Sequence, residues 1–252
     1  MNSYFTFLGR NIPFYGIMYF AGIFIAGIVA VLLCKKRGID RDDIVCSAVY
    51  SVIGGVVGAK LLFLAVSLKE IIRLKIPLEA VIKGGFVFYG GLIGGIVGLY
   101  IYARQFKLEF FKLADLYAVV MPLGHAFGRI GCHIAGCCYG MEYNGPFGVI
   151  YSETLGTTPL GVSLLPIQLI ESALLFILFA VLCIIYLRKK AQPRIASYIY
   201  VFTYTVIRFI LEFFRGDKER GMMLLSTSQW ISIAIFSVFA ISIIKQSKKQ
   251  HR

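Results

Sequence analysis

Apolar residues in this chain gather into continuous runs separated by short charged clusters. Seven windows approach the length of a helical bilayer crossing, at about 12–34, 44–67, 86–103, 114–136, 166–187, 196–214 and 229–244. A hydrocarbon core of roughly 30 Å takes about 20 residues at helical rise. A membrane β-barrel would show short alternating segments rather than runs such as Ile170 to Tyr186. The pattern therefore predicts an all-α polytopic membrane protein with about seven transmembrane helices. The first window is expected to stay as a helix, because Tyr19 to Cys34 is long, basic residues follow it, and no small-residue cleavage site comes after.

Polar segments divide the windows without marking a linker, a low-complexity stretch or a repeat, so residues 1–252 read as one transmembrane domain. Two intervening segments are long enough to carry structure of their own. Residues 68–84, LKEIIRLKIPLEAVIKG, mix Leu and Ile with Lys and Glu at helical spacing before Pro77 and predict an outer interfacial segment. The stretch from about 137 to 165 is rich in Gly, Thr, Pro and Ser and predicts an ordered outer loop or short strands.

Composition agrees with lipid as the solvent, at 58% hydrophobic residues and a mean hydropathy of +0.79. The net charge of +13 does not indicate nucleic acid, because the basic residues sit in clusters at the window ends. Fifteen lie on one side: Lys35, Lys36, Arg37, Arg41, Arg104, Lys107, Lys112, Arg188, Lys189, Lys190, Arg194, Lys245, Lys248, Lys249 and Arg252. Eight lie on the other: Arg10, Lys69, Arg73, Lys75, Lys83, Arg215, Lys218 and Arg220. The richer side faces the cytoplasm, which puts the amino terminus outside and the carboxyl terminus inside.

Lys60, Arg129 and Arg208 fall inside or at the edge of the windows. An ionisable group at the centre of a span costs at least about 2.5–3.5 kcal/mol on insertion scales, so each marks a functional position unless it is paired. In RFILEFFRGD, Arg208, Glu212 and Arg215 project roughly to one helix face, which suits either a structural ion pair or a site. Lys60, Arg129, Arg208 and Arg215 set against Glu171 and Glu212 leave positive charge in excess, and guanidinium groups match phosphate oxygens in a bidentate fork. A phospholipid headgroup is the anion at hand at that depth.

Glycines at spacings of three and four, such as Gly54, Gly58, Gly90, Gly94 and Gly98, suit close helix packing. The paired glycines that bracket Tyr89 also suit a backbone turning beside a ligand. Of the six cysteines, Cys34, Cys46 and Cys183 sit in or near apolar helices, while Cys132, Cys137 and Cys138 cluster. Adjacent cysteines after a helix are not a standard zinc spacing, so no metal is assigned. A disulfide, packing, or thiol chemistry stay open for the cluster.

The segment His125 to Gly140, HAFGRIGCHIAGCCYG, resembles the glycine-arginine signature of the prolipoprotein diacylglyceryl transferase family. The likeness extends through PFYGIMYFAG (13–22), GGFVFYGGLIGG (84–95), PIQLIES (166–172) and RFILEFFR (208–215), covering nearly the whole chain in order. The resemblance implies a seven-helix enzyme of the bacterial cytoplasmic membrane with its active site toward the outer leaflet. Such an enzyme moves the diacylglyceryl group of phosphatidylglycerol onto the lipobox cysteine thiol of a prolipoprotein signal peptide, releasing glycerol phosphate, with no cofactor. It implies Arg129 on the headgroup phosphate, Arg208 and Glu212 as a charged pair shaping the cavity, and Tyr15, Gln168 and Glu171 lining it. Lys60, Arg215 and the signature positions Gly131, Cys132, Cys137 and Gly140 fall in the same substrate-binding set.

The sequence departs from the family pattern at two places. Tyr89 stands where the family has a His proposed as the base, and a phenol of pKa about 10 is a poor base at neutral pH. His125 and His133 are the candidate substitutes. Cys132, Ala135 and Cys137 replace two Asn and an acidic residue. These departures leave two alternatives beside lipoprotein maturation: a related transferase with another acceptor, and a non-enzymatic lipid or anion transporter.

Overall fold

The computed structural model describes residues 4–7, 10–74, 77–188, 193–217, 221–222, 225–226 and 228–237. The chain packs as two compact units, one of residues 1–29 and 117–252 and the other of residues 30–116. The divisions fall inside helices.

In the first unit a short hairpin, β1 (Tyr4–Phe7) with β2 (Arg10–Pro13), leads into α1 (Phe14–Leu33). Pro13 has no N–H to give and ends the strand just where the apolar run begins. The hairpin is absent from the window pattern, which starts one residue before it ends. Phe20 and Phe24 are about 70% exposed, as side chains facing lipid are. Gly22 is the close-contact point of α1, because a methyl there would meet the Phe127 Cβ and the Gly124 carbonyl oxygen on α5 (Phe110–Ala135).

Pro122 interrupts the hydrogen-bond ladder of α5, and the helix ends at Gly136, which takes the left-handed φ of +65°. The Gly136 N–H donates to the His133 carbonyl at 3.2 Å and the Cys137 N–H to the Cys132 carbonyl at 3.1 Å. That is the Schellman pattern of six-to-one and five-to-two bonds. Helix α6 (Ile167–Leu187) starts behind Pro166 and buries Gln168, Glu171, Ser172, Leu175, Leu178 and Leu182, a stripe at three and four spacing. The Ser172 hydroxyl donates to the Ala126 carbonyl at 3.0 Å, tying α6 to α5. Helix α7 (Ile195–Glu212) packs on α6.

The segment from 137 to 165 does form short strands. β3 (Val149–Ile150) pairs with β4 (Ser163–Leu164), and bridges join Glu142 to Leu164 and Gly140 to Arg215.

The second unit is built on α2 (Arg41–Arg73) and α4 (Phe88–Gln105). Asp42 and Asp43 in the first turn of α2 complement its dipole, and the Tyr102 hydroxyl donates to the Asp43 carboxylate at 2.7 Å. The residues expected to lie apart along the headgroups begin as the last turns of α2, because Lys69, Glu70 and Arg73 interrupt the apolar run without interrupting helicity. A short α3 (Leu78–Lys83) follows Pro77.

Glycine packs glycine between α2 and α4. A methyl on Gly58 or Gly90 would strike the other's carbonyl oxygen, and the same holds for Gly54 and Gly94. This is the small-residue packing expected from the spacing. Gly94→Ala is expected to destabilise this unit by about 1–3 kcal/mol through overpacking, read as a lower unfolding midpoint in detergent. Gly91→Ala, whose methyl would meet only ordinary contacts, serves as the control.

Five of the described helices are long and apolar enough to cross a membrane: α1 with its single-turn extension to Arg37, α2, α5, α6 and α7. Helix α4 fills the third window, yet its glycines and the polar end at Arg104 and Gln105 dilute its hydropathy. Residues 228–237 are helical, and the rest of the seventh window lies outside the described residues.

Candidate active site

The buried charges of the first unit converge where α5, α6 and α7 meet. Glu171, 2% exposed near the start of α6, stands between two guanidinium groups. Its Oε1 is 3.1 Å from Arg129 Nη2 and its Oε2 is 3.7 Å from Arg208 Nη1. Arg208 donates in turn to Glu212 Oε2 at 2.6 Å, the pairing of one turn on α7. Two cations and two anions thus form one chain of charge across three helices.

Cation supply is less lopsided than the sequence count implied. Arg215 forms a bidentate pair with Asp217 at 2.9 and 2.7 Å, a partner the sequence tally left out. Burial works against the Arg215 charge, and Asp217 and Cys138 more than offset it, raising its pKa. Lys60 belongs to the second unit, where it donates to the carbonyls of Val81, Ile82 and Gly84 and lies 4.9 Å from the Phe86 ring centre. Those contacts account for its charge without an outside anion.

What the ion cluster leaves over is specific. Among the described residues, the buried side-chain atoms Arg129 Nε, Glu171 Oε1 and Gln168 Oε1 have no hydrogen-bond partner, even though Arg129 Nη2 approaches Glu171 closely enough for Coulomb attraction. Buried donors left without acceptors are rare and costly, so a free guanidinium N–H beside a charge cluster suits an incoming anion. Gln168 uses its other end to donate to the Cys137 carbonyl at 2.8 Å.

His125, one turn before Arg129 on α5, places Nε2 at 4.0 Å from Glu171 Oε1 and its ring edge against Tyr204. His133 is engaged otherwise. Its Nδ1 shares a 2.9 Å hydrogen bond with the Tyr151 hydroxyl, whose pKa burial pushes up to about 12.

The signature residues form the rim. Tyr15 stacks on Tyr19, and a methyl on Gly131 would touch the Tyr15 ring and carbonyl, which fixes Gly131 as the point where α1 meets α5. Gly140 sits under the Leu165 carbonyl, where no side chain fits. The Met141 N–H donates to Phe214 and the Gly216 N–H to Tyr139, stitching the loop after α5 to the end of α7. Cys132, Cys137 and Cys138 are free, half-buried thiols whose sulfurs all lie within 4.8 Å of one another. Hydrogen bonds with Cys132 and Cys137, helped by Arg215, hold the Cys138 thiol below its usual range, and the same network pushes Cys137 up. Tyr89, half-buried beside Phe88 at the start of α4, belongs to the second unit.

Five helices long and apolar enough to cross a membrane, three of which hold a buried arginine–carboxylate cluster, define a multi-helix membrane protein with charge inside its helical core. The comparison with known proteins narrows the class: residues 3–245 match the family model of prolipoprotein diacylglyceryl transferase, and the chain belongs to that family. It is 37% identical to phosphatidylglycerol–prolipoprotein diacylglyceryl transferase of Clostridium tetani over 97% of this chain and 98% of that protein. The second enzyme of that name in Clostridium perfringens is 34% identical over 90% of this chain and 88% of its own length. The Clostridioides difficile protein of that name is 30% identical over 85% and 83%.

Proposed function

We propose that this chain is a phosphatidylglycerol–prolipoprotein diacylglyceryl transferase that works at the outer leaflet of a bacterial cytoplasmic membrane. The observation that carries the reading is the buried Arg129 Nε, without a partner among the described residues, in a guanidinium whose Nη2 lies 3.1 Å from Glu171 Oε1. Arg129 holds the headgroup phosphate, whose charge grows as glycerol phosphate departs, so its donors stabilise the transition state more than the bound lipid. Arg208 and Glu212 hold Glu171 and, through it, Arg129 in place. Tyr15, Gly131, Gln168 and Arg215 line the approach.

Topology supports the outer leaflet. The cluster lies at the carboxyl-terminal ends of α5 and α7 and the amino-terminal ends of α1 and α6, and these are the ends that the basic residues assign outside. The reading includes seven spans, with the amino terminus outside and the carboxyl terminus cytoplasmic.

The test incubates purified protein in micelles containing phosphatidylglycerol with a lipobox peptide, following glycerol phosphate release and peptide mass together. The expected result is a peptide heavier by one diacylglyceryl unit for each glycerol phosphate released. Release without a modified peptide would assign a different acceptor. Neither signal from folded protein would overturn the enzyme reading in favour of lipid binding or transport.

A further inference from the structure

The three thiols behind α5 meet for a backbone reason that spacing along the chain conceals. The Schellman turn at Gly136 brings the residue after that glycine, Cys137, back beside Cys132, four positions before it. Cys138 then takes a left-handed φ of +56°, a conformation that costs a non-glycine residue and persists only where the surroundings impose it. That turn carries the third sulfur into the group. All three sulfurs lie within 4.8 Å of one another.

The geometry points to a zinc site: Cys132, Cys137 and Cys138 bind one Zn²⁺ as three thiolates and leave its fourth position open. Zinc–sulfur bonds of about 2.3 Å in a tetrahedron put the sulfurs about 3.8 Å apart, so closing around the ion takes shifts of an ångström or less. Charge tolerates the same ion. Three thiolates around a divalent cation carry only one net negative charge, and the Arg215 guanidinium, paired with Asp217, also acts on Cys138. The second shell is rigid, because the Gln168 amide holds the Cys137 carbonyl and the stitched strands on either side hold the loop. Sites with three protein ligands and one open position are the catalytic kind, in contrast to closed structural sites.

Resting on the transferase reading above, the open position takes the acceptor's own thiol. Coordination removes the thiol proton to water, which supplies the activation that Tyr89 cannot. The bound thiolate then attacks the glycerol carbon. The sulfur–carbon bond forms as the carbon–oxygen bond to phosphate breaks, and the electron pair leaves with glycerol phosphate. The thioether product is neutral and a weak ligand, so it departs.

Metal binding is measured first, without lipid or peptide, so that its outcome is independent of transfer. Reduced, chelator-treated full-length protein in detergent is titrated with Cd²⁺ as a zinc probe, following sulfur-to-cadmium charge-transfer absorbance, and zinc retained after dialysis is counted. One equivalent is expected, unchanged in Cys34→Ser/Cys46→Ser. Affinity is expected to fall at least about tenfold in Cys138→Ser, the removal of one of three ligands, with the parent's thermal midpoint confirming the fold. No charge-transfer band from protein whose three thiols react with a thiol reagent overturns the site. A mass short of two hydrogens under reducing conditions does the same, in favour of a disulfide. With binding established, chelation should suppress peptide modification and added Zn²⁺ restore it. Full transfer by metal-free protein overturns the role of the open position while leaving the transferase reading intact.

Discussion

Arg129→Lys is expected to lower the turnover of diacylglyceryl transfer by about 100-fold or more, the scale of losing a donor aimed at developing charge. Lysine keeps the positive charge opposite Glu171, so the buried ion cluster stays neutral and the protein folds. It cannot keep the planar fork, and it has no equivalent of the Nε–H that Arg129 leaves free. Because the phosphate gains charge only as the carbon–oxygen bond breaks, the loss should fall on kcat more than on KM for phosphatidylglycerol. Initial rates of glycerol phosphate release against lipid mole fraction measure both. A Lys variant within about twofold of the parent, at equal amounts of folded protein, would remove Arg129 from the phosphate site.

Glu171→Gln is expected to have the largest effect on stability. Glu171 is 2% exposed and faces both Arg129 and Arg208, so the neutral amide leaves two buried guanidinium groups sharing only Glu212. Breaking a buried pair from one side typically costs about 3–5 kcal/mol, which for a chain of this size lowers the unfolding midpoint by on the order of 10 °C. The double variant Glu171→Gln/Arg129→Met removes the uncompensated charge as well and should recover much of that loss without recovering transfer. Thermal unfolding in one detergent reads all three proteins. A single variant that melts with the parent would mean that Glu171 carries no charge in the fold.

The helices were legible because lipid imposes continuous apolar runs. The windows at 114–136, 166–187 and 196–214 match α5, α6 and α7 to within a few residues. The second window stopped short of Arg73 because hydropathy falls at Lys69 and Glu70 while backbone hydrogen bonding does not. The arginines were legible as misplaced charges, and so was Glu212 on the helix face of Arg208, whereas the contact of Arg129 with Glu171 joins two helices. Asp217 was not, since it lies past the end of α7 and its pairing with Arg215 depends on a turn. The thiol cluster was visible as composition but not as geometry. Intervals of five and one along the chain suggest no site until the Schellman turn at Gly136 folds them together. The partnerless Nε of Arg129 could not be read from sequence at all, because an orphaned atom is a property of packing.

The glycine contact between α2 and α4 bears on how the sequence can drift. Backbone meets backbone there, so the only side chain that the contact specifies is a hydrogen atom. On the opposite face of α2, Val52 and Val56 point outward and can exchange among apolar residues freely. Tolerance along each helix should therefore vary with angle around the axis rather than with depth in the bilayer. Saturation mutagenesis of residues 50–62 and 88–99 would return a narrow forbidden stripe with a four-residue repeat, bordered on both sides by positions that accept almost any oily residue.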